Sequence, residues 1–336
     1  MTKLSVTVIV PAYNAAATIG ECIEALLTQK LDALEIIVAD DGSCDETAAI
    51  VHSYEARGVR LLRLSHGGAG AARNAGIAVA TGELLLFTDA DCAPAPDWAA
   101  NFVKAFEAEP ELAAAKGVYR THQQAAIPRF VQAEYTDRYR RMARATIIDF
   151  VDTYAAAYRH SVLQTENFDP RYPGAIVEDA ELAYRLAERG LYMKFVPDAI
   201  VYHQHVNSLF RYFRRKFKIG FWRVAVYQQH PTKLRGDSHT PQVAKLQMLL
   251  ATLSLVMFGF GGLLKIGKQV RFGHAAWQVT FITSNLYNLS TGPFIWRTWQ
   301  NDKVAALIAP LMLWVRAVAL ASGAIAGITK LVFYRK

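Results

Sequence analysis

The sequence predicts an α/β fold on a mostly parallel sheet, followed by long apolar helices. Three observations carry that expectation. Short β-branched or apolar runs alternate with segments of helical period through residues 4–205, which describes strands joined by crossover helices. Polar, often acidic, clusters stand where the early runs stop. Beyond residue 240 the chain turns apolar for stretches near the roughly 20 residues that a bilayer core requires. The hydrophobic fraction of 52% and mean hydropathy of +0.12 are high for a soluble enzyme. A formal charge of +8 over 336 residues, concentrated in the second half, points to an anionic membrane surface or nucleic acid.

Residues 4–10 (LSVTVIV) form the first predicted strand, stopped by Pro11-Ala12-Tyr13-Asn14. Ile19, Cys22, Ile23, Leu26 and Leu27 then recur at helical spacing behind Thr18, a plausible N-cap. The next strand, 34–39, ends at Asp40-Asp41-Gly42-Ser43. A helix over 47–56 and a strand over 59–64 follow. Gly67-Gly68-Ala69-Gly70 opens a small-residue helix reaching residue 80, and Leu84-Leu85-Leu86-Phe87 is a buried strand that runs into Thr88-Asp89-Ala90-Asp91-Cys92. Parallel sheets take ligands beyond the carboxyl ends of their strands, so the clusters at 11–14, 40–43 and 89–91 are expected to converge on one crevice.

Residues 98–106 read as a helix and 113–119 as a strand. The Arg-rich stretch 121–149 reads as a solvated helix, with one facing an anionic surface as the alternative. Ile176-Val177-Glu178-Asp179 leads an amphipathic helix over 180–189 closed by Gly190, and residues 195–202 return to extended structure ending at His203-Gln204-His205. Over 209–226 six basic residues, among them Arg214, Arg215 and Lys216, interleave with Phe210, Phe213, Phe217, Phe221 and Trp222. That pattern describes an interfacial helix on anionic lipid; no nucleic-acid recognition motif accompanies it. Candidate spans are 246–264 and 304–328, the latter with Arg316 as its one charge, while 277–296 reads as re-entrant or interfacial. The expected layout is a domain over 1–207, a basic interfacial segment over 208–240 and a membrane-associated region over 241–336. The basic flank before the first span, with Lys330, Arg335 and Lys336 after the second, keeps both ends on the cytoplasmic side. Lys3 precedes only a short strand-like run, so no signal peptide is expected.

Asp89 and Asp91, at i and i+2 beyond a strand, point to one face. Two carboxylates there make a hard-oxygen site suited to Mg²⁺ or Mn²⁺ bridging to phosphates; a solvated turn is the plain alternative. Cys22, Cys44 and Cys92 lack metal-ligand spacing and read as small packing residues in a reducing compartment.

Taken together, Pro11-Ala12-Tyr13-Asn14, Asp40-Asp41-Gly42-Ser43-Cys44-Asp45, Gly70-Ala71-Ala72-Arg73-Asn74-Ala75-Gly76, Thr81-Gly82-Glu83 and Asp89-Ala90-Asp91 resemble family 2 glycosyltransferases in order and spacing. Glu178-Asp179, leading Glu181-Leu182 and Arg185-Leu186, is similar to that family's acceptor-side motif. The resemblance covers about residues 4–205. It implies a GT-A fold and an inverting, metal-dependent transfer from a UDP- or GDP-sugar to a lipid-linked or membrane-proximal saccharide, by a bacterial inner-membrane protein with a cytoplasmic catalytic domain. By it, Asp40, Asp41 and the Pro11-Ala12-Tyr13 turn contact the nucleoside, and Arg73 lies on the donor side. Asp91 holds Mn²⁺ or Mg²⁺, Asp89 supports it or reaches the ribose, and His203 completes the metal or phosphate site, with a packed histidine as the alternative. Asp179 is the base, ionised by its place at a helix N-terminus, with Glu178 and Trp222 on the acceptor side. The processive relatives' Gln-x-x-Arg-Trp motif is missing around Trp222, which favours single-sugar transfer. Rival readings are a dinucleotide site on Gly68-Ala69-Gly70, with Arg73 where a third glycine belongs, and an inactive membrane-anchored scaffold subunit. A two-carboxylate glycoside hydrolase has no use for a nucleotide site.

Overall fold

The computed structural model describes residues 4–31, 33–172 and 176–333; Lys3, Arg335 and Lys336 lie outside them. The chain divides into two compact units. The first comprises Met1–His122, Arg138–His205 and Asp237–His239, the second Gln123–Asp137, Val206–Gly236 and Thr240–Lys336. Residues 123–137 thus group with the C-terminal helices rather than with the N-terminal domain, unlike a single cut at 207.

Among the described residues the first unit forms an eight-stranded sheet, in the order Val59–Arg63 (β3), Glu35–Asp40 (β2), Val6–Ala12 (β1), Leu84–Phe87 (β4), Ala156–Arg159 (β7), Ala114–Arg120 (β6), Met193–His203 (β8) and Cys92–Pro94 (β5). β1 (Val6–Ala12), β2 (Glu35–Asp40), β3 (Val59–Arg63) and β4 (Leu84–Phe87) are parallel neighbours. They are joined through α1 (Ile19–Leu27), α2 (Thr47–His52) and α3 (Ala69–Val79). Val8, Ile9, Val10 and all four β4 residues are buried, the signature of strands covered on both faces. α3 lies close on β1 because Gly76 has no side chain: a Cβ there would come within 2.5 Å of Ile9 Cγ2. The strand order turns outward on either side of β1 and β4, which makes their carboxyl ends a ligand-binding switch point.

Beyond β4 the sheet is mixed rather than mostly parallel. β7 (Ala156–Arg159) lies antiparallel between β4 and β6 (Ala114–Arg120), and β5 (Cys92–Pro94) runs antiparallel to β8 (Met193–His203). β6 and β8 pair in parallel. Strands β5 and β7 have three and four residues and no readable period, so only their partners make them strands. α4 (Trp98–Ala108), α6 (His160–Thr165) and α7 (Glu178–Glu188) complete this unit.

The Arg-rich helix α5 (Ala126–Met142) is not solvated all round: Phe130, Val131, Glu134, Tyr135, Tyr139 and Met142 are buried along one face. In the second unit its acids and bases are spent on ion pairs. Glu134 accepts from Tyr212 (3.0 Å) and pairs with Lys216 (3.0 Å) and Arg316 (2.9 Å), while Arg129 meets Asp302 and Arg297 meets Asp137. α8 (Leu209–Gln229) leaves Arg211, Arg214 and Lys218 exposed but buries Tyr212, Lys216 and Gly220. It packs along α11 (Lys303–Phe333): a Cβ on Gly220 would meet Leu320 O at 2.3 Å. α8 is therefore a two-faced packed helix, not one lying wholly on lipid. α9 (Gln242–Ile266) and α11 are long and apolar enough to cross a membrane, and Arg316 within α11 is neutralised by Glu134. Between them α10 (Val270–Asn301) is one unbroken helix, not a re-entrant loop. Its polar groups bond back to its own carbonyls, as Thr283 does to Val279 and Asn285 to Phe281, so the polarity that suggested a break costs the helix little.

Candidate active site

The ends of β1 and β2 are knitted by side chains to main chain. Asn14, at φ +49°, accepts from Cys44 N–H (2.9 Å), and its own N–H donates to Ser43 Oγ (2.9 Å). Pro11 and Ala12 close β1 opposite Ala39 and Asp40 of β2. Asp40 is wholly buried and accepts from Ser43 N–H. Asp41 takes Gly67 N–H (2.7 Å) and Gly68 N–H (2.9 Å) on its two oxygens, with His66 Nδ1 2.9 Å from Oδ2. Those amides are spent on a carboxylate, which removes the dinucleotide reading of the glycine loop. It also makes Asp41 the residue that sets that loop. Tyr13, half exposed, stacks on His66 at 4.3 Å, giving the crevice an aromatic wall. His66 carried no signal in the sequence beyond its place before Gly67.

Arg73 is 1% exposed and bridges the two halves of the site. Nη1 donates to Glu178 Oε1 (2.7 Å) and Nη2 to Asp89 Oδ1 (3.0 Å). Glu178 Oε2 accepts from Ile176 and Val177 N–H, closing the start of α7. Arg73, expected on the donor side, and Glu178, expected on the acceptor side, thus pair with each other, and Arg73 ties Asp89 to the head of α7. Asp179 follows Glu178, half-buried, with Oδ1 accepting from Ala180 N–H (2.7 Å). Its place at the helix N-terminus pulls its pKa down through the Ala180 amide, but that pull is outweighed. Burial first, then the Glu178 carboxylate, push it up to about 7, against the pull of Arg73, the Ala180 amide and Lys116. Lys116 itself is buried in an ion pair with Asp152 and donates to Tyr154 Oη (2.8 Å).

The second cluster forms where β5 meets β8. Their register sets Cys92 opposite His203. His203 Nδ1 lies 3.4 Å from Asp91 Oδ1, and Cys92 Sγ lies 3.7 Å from that oxygen and 3.9 Å from that nitrogen. Asp91, Cys92 and His203 are thus close enough to share one metal ion. Asp91 is half exposed, while His203 and Cys92 are buried. Tyr119 stacks on the His203 ring at 4.7 Å and lies with its hydroxyl 3.7 Å from Cys92 Sγ. Burial, with Asp89 and Asp91, pushes the Cys92 thiol well up. Asp89, expected to support that ion or to reach the ribose, accepts from Arg73 on Oδ1. Of the cysteines read as packing residues, Cys22 is buried, Cys44 is exposed, and Cys92 sits among these donors. Trp222 belongs to the second unit, edge-on to Phe221 at 5.2 Å and under Lys330.

Known proteins share this framework. The glycosyl transferase family 2 pattern matches residues 7–165. The uncharacterized glycosyltransferase YibD of Escherichia coli (strain K12) is 48% identical over 91 residues, which is 26% of this chain and 26% of that protein. The pre-mycofactocin glycosyltransferase of Mycobacterium tuberculosis (strain ATCC 25618 / H37Rv) is 27% identical over 239 residues, 68% of this chain and 48% of that protein. The match therefore spans about a quarter to a half of these relatives' lengths. The mannosyltransferase PcManGT of Pyrobaculum calidifontis, solved with GDP-Man and Mn²⁺, shares the fold at a TM-score of 0.58 and 20% identity, covering 100% of this chain and 89% of that one. On these matches, residues 7–165 are similar to glycosyl transferase family 2.

Proposed function

We propose that the chain is a metal-dependent, inverting glycosyltransferase that moves a sugar from a UDP- or GDP-sugar to a lipid-linked or membrane-proximal saccharide. The observation that carries this reading is the bridge Asp89–Arg73–Glu178 at the head of α7, which ties the Asp89–Asp91 turn to Asp179. An exposed carboxylate beside an imidazole fits a divalent ion of hard to borderline character, so Asp91 and His203 would hold Mn²⁺ or Mg²⁺. When bound, the ion would neutralise charge building on the leaving diphosphate.

The protein's own groups account for the rest. Asp179, raised to about 7, holds the carboxylate form in useful amount at neutral pH and remains basic enough to take a proton. It removes the acceptor hydroxyl's proton as that oxygen bonds to the sugar's anomeric carbon and the bond to the diphosphate breaks. Tyr13 stacked on His66 offers a flat wall for a nucleobase, and Asp41 fixes the glycine loop behind it. Membrane attachment rests on α9 and α11, with exposed Leu249, Val256, Phe258 and Leu263 on α9, and on the exposed cations of α8.

The test is donor binding by the detergent-purified protein across UDP- and GDP-sugars, with Mn²⁺, Mg²⁺ or EDTA, repeated on Asp91→Asn. Metal-dependent binding of one donor, lost in the variant, is expected. A folded sample that binds none of them refutes the reading.

A further inference from the structure

We propose that Cys92 is a third ligand in the Asp91–His203 site, so that this site takes a thiophilic divalent cation, Zn²⁺, as a three-residue centre with one open position. This deepens the metal-site reading above and rests on it: Asp91 and His203 alone would hold Mn²⁺ or Mg²⁺, and engagement of the Cys92 thiolate adds Zn²⁺ to the ions the site takes.

The geometry is the argument. Donors of a tetrahedral Zn²⁺, at ~2.0–2.1 Å for nitrogen or oxygen and ~2.3 Å for sulfur, stand roughly 3.3 to 3.6 Å apart. Here the three edges are 3.4 Å for Asp91 Oδ1 to His203 Nδ1, 3.7 Å for Asp91 Oδ1 to Cys92 Sγ, and 3.9 Å for His203 Nδ1 to Cys92 Sγ. Small side-chain rotations close that triangle on an ion. The backbone that sets it is paired sheet, since β5 and β8 fix Cys92 opposite His203. Tyr119 supports two of the ligands at once, its ring on His203 and its hydroxyl near Cys92 Sγ. Outer contacts of this kind orient ligands and tune affinity. Two ligands are buried and Asp91 is half exposed, so the fourth position opens toward solvent on the Asp91 side. Thiolate and imidazole suit Zn²⁺, whereas Mg²⁺ and Mn²⁺ favour carboxylate and water. On binding, the thiol proton leaves to solvent and the Zn–S bond forms, with no redox change.

The experiment titrates the full-length protein in detergent with Cd²⁺, without nucleotide, following the ultraviolet sulfur-to-cadmium charge-transfer band. Zn²⁺ and Mn²⁺ affinities are measured in parallel by competition. One equivalent of Cd²⁺ should raise the band, and Cys92→Ser should abolish it. In that variant Zn²⁺ affinity should fall by about tenfold or more, while Mn²⁺ affinity should move by no more than about twofold. Because Cys92 is buried and its variant can misfold, cadmium NMR of the unaltered protein gives a second reading: a sulfur-bearing site resonates well downfield of an all-oxygen one. Cys44→Ser, at an exposed position, should keep the band. Persistence of the band in folded Cys92→Ser, or a cadmium resonance in the all-oxygen range, overturns the proposal. Mn²⁺ and donor binding without any band removes the thiol ligand alone, and binding of no ion at all removes the metal site with it.

Discussion

Replacing Arg73 by methionine should damage the protein more than any other single loss of an ion pair in the first unit. The guanidinium is 1% exposed and sits between Glu178 at 2.7 Å, itself 2% exposed, and Asp89 at 3.0 Å. Methionine fills much of the volume, so the loss is electrostatic: one carboxylate is stranded in the interior and another at its edge. Removing one partner of a buried pair costs about 3–5 kcal/mol. The exposed pair Arg57–Glu24, with both side chains 49% accessible, is the control, and Arg57→Met should leave protection nearly unchanged, because solvent screens such a pair. Hydrogen exchange of peptides from β4 and α7 reads the difference without complete unfolding. Protection there should fall on the order of 10²–10⁴-fold in Arg73→Met. Adding Glu178→Gln should restore much of it, because the stranded charge is gone. A second readout separates positioning from mere stability. Arg73 draws the Asp179 pKa down, so its removal should move the acidic limb of the pH–rate profile to higher pH. A loss below about 1 kcal/mol, or a limb displaced to lower pH, would refute the reasoning.

On the proposed role of Asp179 as base, wild-type transfer should rise as pH increases through about 7, as its carboxyl ionises. Asp179→Asn should lower the rate by about 10²–10⁴-fold with donor affinity nearly unchanged; lost donor binding in a folded variant contradicts its role as base. In the second unit, Glu134→Gln leaves Lys216 and Arg316 without their counter-charge and should cost about 3–5 kcal/mol, seen as a lower thermal midpoint in detergent. Asp137→Asn, opposite the more exposed Arg297, should cost about 1 kcal/mol or less; equal losses in the two variants would show that Glu134 is no keystone.

The first half of the chain was legible because its signals are local. A run such as Leu84-Leu85-Leu86-Phe87 declares a buried strand by composition, and the acids after it lie within two residues on the same chain. The crevice at the ends of β1, β2 and β4 followed from alternation alone, as did the length and apolarity of α9 and α11. The pairings that build the site are not local. Arg73 and Glu178 are 105 residues apart, Cys92 and His203 111, and no period in either neighbourhood reports the other. A buried arginine also reads in sequence like an anion binder on a surface; only the two carboxylates around it show that its charge is already matched. The same holds for Glu134, Lys216 and Arg316, read as solvated or interfacial charge but neutralised by helix packing. The pKa of Asp179 is the plainest case. Position at a helix N-terminus, visible in sequence, favours the ion, whereas burial and the adjacent Glu178 disfavour it more strongly. Sequence thus determined which residues stand at the strand ends and helix starts, because that depends on neighbours along the chain. Tertiary structure alone decided which of them meet and how their charges settle, because register and burial are set by partners a hundred residues away.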